Sequence, residues 1–277
     1  MIVNLDGRFC TAEQACLPLQ DSALLFGDSL FETIKVQNNK VLRIEAHLDR
    51  LALSASLLDF PRNHDEVRTN LLQTAERCPW PLARLRLTLT RGICNGLAVP
   101  PAQHARTIIT AVSCSDPDDT QRKAGATCVF APNRRVNPLS HLPQMKRGNY
   151  ADCLYAARYA QSRGAREALF RTDEGHILEG ATSNLFLIRD KTLITPAAGE
   201  LVLAGVMRRQ VLQAADTLGF TVRQQPIDMQ TLFQADEAFL TNAIIEIMPI
   251  ARLENFPLKR GPLALELLQA IRNGAAS

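Results

Sequence analysis

Three short segments of the chain carry residues whose types and spacing can do chemistry. Lys146 lies in Leu142-Pro-Gln-Met-Lys-Arg-Gly-Asn149, just ahead of a predicted helix, and its unprotonated amine can attack an aldehyde. Glu179 opens Glu179-Gly-Ala-Thr-Ser-Asn-Leu-Phe186 and supplies a carboxylate. Leu203-Ala-Gly-Val-Met-Arg208 places a glycine at the start of another helix, where free amides and the helix dipole favour a phosphate.

Together these groups match the requirements of pyridoxal phosphate. Lys146 would form an imine with the aldehyde, and desolvation or the neighbouring charge of Arg147 would favour its unprotonated form. Glu179 would keep the ring nitrogen protonated, which makes the ring an electron sink. Small residues that let a backbone approach a flat ring follow it, namely Gly180, Ala181, Ser183 and Asn184. The alternatives are that Lys146 is a solvated lysine, that Glu179 is an exposed acid in a turn, and that Gly205 is a simple helix cap.

Further residues offer donors for the phosphate. The amides at Gly205-Val206-Met207 point outward from a helix start, and Thr241-Asn-Ala243 adds the side chain of Asn242 and free backbone amides after a predicted strand. Arg50 lies three residues after His47 on one predicted helix, and its guanidinium can grip phosphate oxygens as a fork. His47 has no neighbouring cysteine or acid cluster, so we predict that it forms a structural hydrogen bond and does not bind a metal.

The elements that must position these residues mix strands and helices without a regular βαβ alternation. Hydrophobic periodicity predicts strands over residues 2–4, 31–36, 41–44, 85–91, 107–112, 126–130, 167–171, 185–188, 193–195 and 238–241. It predicts helices over residues 45–58, 65–76, 149–162, 206–218 and 262–272. Glu179 is expected between two strands. The sequence therefore predicts an α+β protein with a smaller N-terminal α/β domain (1–113), a polar linker (114–122) and a larger cofactor-binding domain (123–277).

Composition argues against several other classes of protein. No apolar run reaches the roughly 18 residues of a membrane span, and the first residues lack a secretion signal. Seven cysteines without a CxxC pair indicate reduced thiols in a cytoplasmic protein. A net charge of +3 and 5% aromatic residues do not indicate nucleic-acid binding. Neither GxGxxG nor GxxxxGK[ST] is present.

The chain resembles the fold-type IV pyridoxal-phosphate enzymes, which include branched-chain and D-amino-acid aminotransferases and aminodeoxychorismate lyase. The resemblance runs through residues 25–33, 47–51, Lys146, 179–186, 203–207 and 239–249. It implies a homodimer of two-domain subunits with the cofactor between the domains. It also implies roles for Lys146 at the imine, Glu179 at the ring nitrogen, and Arg50, Val206 and Met207 at the phosphate. Aminotransferase relatives often have threonine where Ala243 lies, so Asn242 or backbone amides would replace that contact.

Short signatures within this resemblance look most like aminodeoxychorismate lyase, namely Phe31-Glu-Thr33, Thr90-Arg-Gly92 and Thr241-Asn-Ala243. D-amino-acid aminotransferases tend to show Tyr-Glu-Val in the first signature and branched-chain enzymes show Phe-Glu-Gly. The implied reaction converts 4-amino-4-deoxychorismate to 4-aminobenzoate and pyruvate in folate biosynthesis. Thr33 would donate a proton to the departing pyruvate, and Arg91 would bind a substrate carboxylate.

Two other functions stay open at this point. Tyr150, close after Lys146, is reminiscent of the transaminases, so an aminotransferase acting on D-amino acids or branched-chain amino acids is the main alternative. A protein that carries pyridoxal phosphate without catalysis, or one that has lost it, is the alternative outside the enzymes.

Overall fold

The computed structural model describes residues 1–61, 63–134, 145–199 and 201–274. By its internal contacts the chain divides into two compact units, the first made of residues 1–116 and Met145–Tyr150, the second of the remaining described residues. Both units mix helices and strands, which confirms the predicted α+β class. The domain boundaries at residues 113 and 123 stay a prediction, and the sequence pattern did not indicate that the segment carrying Lys146 packs within the first unit.

A six-stranded antiparallel sheet forms the first unit, with the strand order β2-β1-β6-β5-β3-β4. The strands are β1 (Ile2–Leu5), β2 (Arg8–Cys10), β3 (Ser29–Gln37), β4 (Lys40–Val41), β5 (Leu82–Thr90) and β6 (Arg106–Ser113). The helices are α1 (Ser22–Phe26), α2 (Ile44–Leu57) and α3 (His64–Glu76), and a 3₁₀ turn spans Ala102–His104. Apolar residues of α2 and α3 pack against one face of the sheet and form the core of this unit.

Strict alternation along β5 decides which side chains face that core. Leu85 and Leu87 are fully buried against the helices, whereas Arg84 and Arg86 point to the opposite face and are exposed. The prediction from the sequence is confirmed here. The predicted strand over residues 41–44 is wrong at its end, because Arg43 adopts a left-handed backbone (φ 56°) and α2 begins at the next residue.

The second unit holds a nine-stranded sheet with the order β12-β11-β10-β13-β14-β7-β8-β9 and β15 paired to β14. Its strands are β7 (Ala126–Phe130), β8 (Glu167–Arg171), β9 (Ile177–Gly180), β10 (Asn184–Arg189), β11 (Thr192–Thr195), β12 (Thr221–Gln224), β13 (Glu237–Asn242), β14 (Glu246–Leu253) and β15 (Phe256–Pro257). Because β9 also pairs with β10, six of these strands close into a ring. That closure brings the beginning and the end of the Glu179 motif side by side.

The helices of this unit are α4 (Asp119–Ala124), α5 (Ala151–Ser162), α6 (Val206–Thr217), α7 (Met229–Gln234) and α8 (Leu263–Gly274). Helix α4 begins inside the predicted linker (114–122) and ends two residues beyond it, and Asp118 and Gln121 form a capping box at its start. Phe186 and Phe239 stack with ring centroids 5.1 Å apart in the core beneath α6 and α8. None of the seven cysteines, all of which lie among the described residues, forms a disulfide. Within the part of the chain that the structure describes, no helix is long and apolar enough to cross a membrane.

Candidate active site

Lys146 lies on a short extended segment that is added to the edge of β3. The amide of Phe31 donates to the carbonyl of Lys146 at 2.8 Å, and the amide of Gly148 donates to the carbonyl of Ser29 at 2.7 Å. This pairing fixes the lysine backbone against β3, so the side chain starts from a rigid element. The Lys146 Nζ lies 4.5 Å from the centroid of the Phe31 ring. Residues 141–144, which precede it in the predicted motif, lie outside the described residues.

Aromatic and cationic side chains surround the lysine within this unit. The Tyr150 ring meets Phe31 edge-on, with centroids 5.3 Å apart, and Lys146 Nζ lies 5.5 Å from the Tyr150 centroid. The guanidinium carbon of Arg86 lies 3.9 Å from the Phe31 centroid. Thr33 is paired directly with Arg86 across β3 and β5, two residues along from Phe31 and therefore on the same face. Lys146, Tyr150, Thr33 and Arg86 are thus brought to one face of the sheet.

Arg86 was not predicted as a site residue. Its signal was present in the alternation of β5, which places Arg84 and Arg86 on the face opposite the leucines. Neither arginine forms an ion pair with any residue that the structure describes. Two unpaired guanidinium groups that share one sheet face form a suitable surface for carboxylates.

Arg50 is held by a buried acid on β3. Its Nε and Nη2 donate to the two carboxylate oxygens of Glu32 at 2.8 and 2.6 Å, and His47 Nδ1 lies 2.7 Å from Glu32 Oε2. Burial alone would raise the pKa of Glu32, but the charge of Arg50 and the hydrogen bonds from His47 and Arg50 together lower it to about 2. Burial also lowers the pKa of His47, which favours its neutral form. The guanidinium plane of Arg50 is therefore fixed by an ionised partner.

Arg91 contacts its own unit with its whole guanidinium. Its Nε pairs with Asp28 Oδ2 at 2.9 Å, Nη1 donates to the carbonyl of Asp59 at 2.8 Å, and Nη2 donates to the carbonyl of Leu58. The group also covers the Phe60 ring at 4.1 Å from its centroid. These contacts tie the end of α2 to the end of β5, and a role of Arg91 towards the substrate stays a prediction.

In the second unit, Glu179 lies on β9 itself and not between two strands as expected. Only 5% of its surface is exposed. Its Oε2 accepts hydrogen bonds from the amide of Leu203 at 3.0 Å and from Asn184 Nδ2 at 3.1 Å. Asn184 lies directly opposite Glu179 in the ladder, and its Nδ2 also donates to the carbonyl of Leu203 at 2.9 Å. The acid is consequently bonded to a segment that lies 24 residues further along the chain.

The start of α6 packs against the same asparagine. Gly205 is the N-cap, with no side chain to satisfy the helix, and Val206 and Met207 are the first helical residues. A Cβ atom at Gly205 would lie 2.0 Å from Asn184 Oδ1, so this close approach requires glycine. The amides of the first turn of a helix have no partner within the helix, and α6 therefore offers donors to an anion beside Asn184 and Glu179.

The turn after β13 lies next to this group. Thr241 pairs with Asn184 across β10 and β13, and its buried Oγ1 has no hydrogen-bond partner among the described residues. Asn242 Oδ1 accepts from the amides of Ile244 at 3.0 Å and Ile245 at 2.9 Å, so this oxygen serves the turn that contains Ala243. An unsatisfied buried hydroxyl beside an uncapped helix start is a donor set that suits a phosphate. Together with the buried carboxylate of Glu179, it fits pyridoxal phosphate.

Comparisons with known proteins match most of the chain. The family model described as Amino-transferase class IV matches residues 29–253. A putative branched-chain-amino-acid aminotransferase of Methanocaldococcus jannaschii is 30% identical over 257 residues, covering 92% of this chain and 88% of that protein. A D-alanine aminotransferase of Listeria monocytogenes is 27% identical, with 97% and 94% of the two chains covered.

Solved structures match over the same length. The 4-amino-4-deoxychorismate lyase from Pseudomonas aeruginosa superposes with a TM-score of 0.87 at 27% identity and covers 98% of both chains. A branched-chain amino acid aminotransferase of T.th., solved with pyridoxamine 5'-phosphate, has a TM-score of 0.89 at 25% identity and covers 99% of this chain and 93% of that chain. The similar proteins therefore include three activities at comparable identity.

Proposed function

The chain belongs to the amino-transferase class IV family, and we propose that it is the lyase that converts 4-amino-4-deoxychorismate to 4-aminobenzoate and pyruvate. This proposal rests on one observation: Thr33 and Arg86 lie side by side on the sheet face that holds Lys146. A hydroxyl there can serve a departing oxygen, and the arginine can serve a carboxylate of the substrate. The lyase from Pseudomonas aeruginosa, which covers 98% of both chains, supports the same choice.

The cofactor of this reaction is pyridoxal phosphate, whose ring withdraws electrons from the substrate carbon that bears the amine. Lys146 would be its covalent partner, and Glu179 would hold the proton on the ring nitrogen. Val206 and Met207 would bind the phosphate through the amides at the start of α6, and Arg50 would bind it through a guanidinium that Glu32 keeps in one plane.

Lys146 and Thr33 of the first unit would move the protons of the substrate. Lys146 Nζ would take the proton from the carbon that bears the amine. Thr33 would donate its hydroxyl proton to the enolpyruvyl oxygen as that bond breaks and would regain a proton from the Lys146 ammonium, and the Tyr150 ring would limit the space beside Lys146. Aromatisation of the remaining ring drives the step forward. General acid or base catalysis of this kind contributes about 10²–10⁴-fold to the rate.

Substrate carboxylates are assigned to Arg86 in preference to Arg91. Every guanidinium nitrogen of Arg91 already contacts its own unit, whereas Arg86 lies over Phe31 without an acidic partner among the described residues. 4-Amino-4-deoxychorismate carries two carboxylates, and Arg84 supplies a second cation on the same sheet face. A substrate with two carboxylates can therefore contact both arginines, whereas a monocarboxylic amino acid can contact only one.

Product analysis with purified protein and 4-amino-4-deoxychorismate tests this proposal. Wild type is expected to release pyruvate and 4-aminobenzoate in equal amounts without a 2-oxo acid, and Lys146→Ala to release neither above background. Lys259→Ala, which removes an exposed lysine of the second unit, is the control for the loss of a lysine as such. Formation of products only when a 2-oxo acid acceptor is added would overturn the lyase assignment.

An aminotransferase is the second candidate, and the Methanocaldococcus jannaschii and Listeria monocytogenes relatives favour it. It would use the same lysine and the same acid, and transfer the amino group of a D-amino acid or a branched-chain amino acid to a 2-oxo acid. Acceptor-dependent exchange of amino groups identifies it. A mere carrier of the cofactor would show neither activity while retaining the absorbance of bound pyridoxal phosphate.

We also infer that the protein is a cytoplasmic homodimer that needs no metal, nucleic acid or membrane for this reaction. The folate-pathway substrate is a small soluble molecule. Exposed apolar side chains within residues 19–26 and 93–99 of the first unit form a surface that fits a second copy of the chain.

A further inference from the structure

Glu167 is a buried acid that the reaction above does not use. It opens β8, and 4% of its surface is exposed. Four hydrogen bonds end on its carboxylate. The amide of Ala168 donates to Oε1 at 3.1 Å, and Oε2 accepts from the Thr182 amide at 3.2 Å, the Thr182 hydroxyl at 2.7 Å and the Ser183 hydroxyl at 2.8 Å. Three of these donors belong to the turn between β9 and β10.

That turn is folded closely around the carboxylate. The Gly180 amide donates to the carbonyl of Ser183 at 2.7 Å, and the Ala181 amide donates to the carbonyl of Ala168 at 3.0 Å. A Cβ atom at Gly180 would lie 2.7 Å from Glu167 Cγ and 2.4 Å from Ser183 Oγ. The acid and the turn are therefore in direct contact, and one cannot shift without displacing the other.

The same turn determines where Asn184 lies relative to Glu179. It joins these two residues, which face each other across β9 and β10. Asn184 then donates to Glu179 Oε2 and to the carbonyl of Leu203 through one nitrogen. Two of the bonds that hold the Glu179 segment in place thus depend on the position of Asn184.

Glu167 forms no salt bridge with any residue that the structure describes. Burial raises the pKa of its carboxyl, and the four hydrogen bonds oppose that effect. Backbone amides can only donate, so those of Ala168 and Thr182 require an acceptor on each oxygen. Burying an acid without a cation costs free energy. This cost argues that Glu167 is needed as a hydrogen-bond acceptor, a role that an apolar residue could not fill.

We propose that Glu167 is a positioning residue that sets the orientation of Glu179 through the turn formed by residues 180–183. This inference rests on the proposed role of Glu179 at the cofactor ring nitrogen. It adds no chemical step to the reaction, and it assigns the Ser183 hydroxyl to Glu167 as a donor instead of to the cofactor.

Glu167→Gln tests the proposal, because an amide has a single accepting oxygen, and its nitrogen cannot accept the backbone donor, from Ala168 or Thr182, that the second carboxylate oxygen accepts. The dissociation constant of pyridoxal phosphate, measured by absorbance titration of the unliganded protein, is expected to rise about 10-fold, the lower end of effects seen when a partner that orients a ligating group is removed. The pH dependence of the absorbance of the bound cofactor is expected to shift, since that reports the environment of the ring nitrogen.

Glu237→Gln is the matched control. Glu237 has the same exposed fraction of 4%, lies in the same unit, and accepts from the amides of Leu263 at 2.8 Å and Ala264 at 2.9 Å at the start of α8. Its replacement is expected to lower the melting temperature without changing either cofactor measurement. Thr182→Val removes one donor to Glu167, and its dissociation constant is expected to rise about 2–3-fold, consistent with loss of one hydrogen bond.

A folded Glu167→Gln protein with the wild-type dissociation constant and pH dependence would overturn the proposal, as would an equal change in Glu237→Gln. If Glu167→Gln does not fold, a Thr182→Val protein with the wild-type dissociation constant overturns the proposal. Product analysis of wild type in parallel separates the two proposals. A wild type that binds the cofactor but releases no 4-aminobenzoate contradicts the lyase assignment and leaves the binding comparison intact.

Discussion

At the scale of single residues, the site depends on buried acids, each of which accepts hydrogen bonds from a defined set of donors. Glu32 fixes Arg50, and Glu179 is held by Asn184 and by the backbone at Leu203. The types of these residues could be read from the sequence, but their partners could not, because each bond joins segments that only the folded chain brings together. Glu167 was missed for this reason, whereas Arg86 was missed although the alternation of β5 placed it on the face opposite the leucines.

Glu32 gives a prediction about the pH dependence of stability. Its folded pKa of about 2 lies below the ordinary value of 4.5, so its contribution to the free energy of unfolding is present above 4.5 and is lost as the pH falls towards 2. Glu32→Gln is expected to be less stable than wild type by about 3 kcal/mol near neutral pH, because Arg50 loses its partner. Chemical denaturation at several pH values should show this difference shrinking in acid.

Glu45→Gln is the control for that measurement. Glu45 and Arg68 form an ion pair at 3.0 Å with both side chains exposed, so the control should change the free energy of unfolding by less than about 1 kcal/mol. A difference between Glu32→Gln and wild type that stays constant from neutral pH down to pH 2 would contradict the assigned ion pair.

At the scale of elements, alternation and helical periodicity predicted most strands and helices that carry the site. The strand prediction over residues 167–171 matches β8, and the leucine face of β5 is confirmed. The elements that were not predicted are the strands β2, β9, β12, β14 and β15 and the helices α1, α4 and α7. Tertiary pairing and capping define short elements such as β9 and α4 more than hydrophobic pattern does. Glu179 was accordingly expected in a loop.

The contact between the start of α6 and Asn184 gives a second prediction. Gly205 has an ordinary φ of −64°, so Gly205→Ala introduces no backbone strain, and its main defect is the clash with Asn184 Oδ1. We expect a loss of about 1–3 kcal/mol in the free energy of unfolding, as for other overpacked sites, and weaker binding of pyridoxal phosphate. Denaturant unfolding and absorbance titration measure the two effects.

Gly274→Ala is the matched control for this substitution. A Cβ atom there would have no neighbour within 4 Å, so stability and cofactor binding should remain at the wild-type level. Equal behaviour of Gly205→Ala and Gly274→Ala would show that the close approach at α6 does not exist.

At the scale of the whole molecule, an apolar patch on the first unit is left uncovered. It comes from two segments that are tied together, since the amide of Ser22 donates to the carbonyl of Gly92 at 2.9 Å and that of Cys94 donates to the carbonyl of Gln20 at 3.0 Å. Its exposed side chains are Leu19, Leu24, Leu25, Phe26, Ile93, Leu97 and Val99. Exposed apolar side chains on neighbouring segments often mark an interface between proteins.

If this patch is the homodimer interface, one charge within it should separate the subunits. We expect Leu25→Glu to shift the mass measured by sedimentation or light scattering from dimer to monomer, because burying an unpaired carboxylate is unfavourable. Leu53→Glu is the control, since Leu53 is similarly exposed on α2 outside the patch. A dimer that persists in Leu25→Glu, or a monomeric wild type, contradicts the assignment.

The assignment of Lys146 is tested most directly by locating the covalent bond to pyridoxal phosphate. Purified protein is incubated with pyridoxal phosphate, reduced with borohydride, digested and examined by mass spectrometry. We expect the phosphopyridoxyl mass on the peptide that contains Lys146, and no such mass in Lys146→Ala treated in the same way. A modification on another lysine, or none in wild type, would contradict the account.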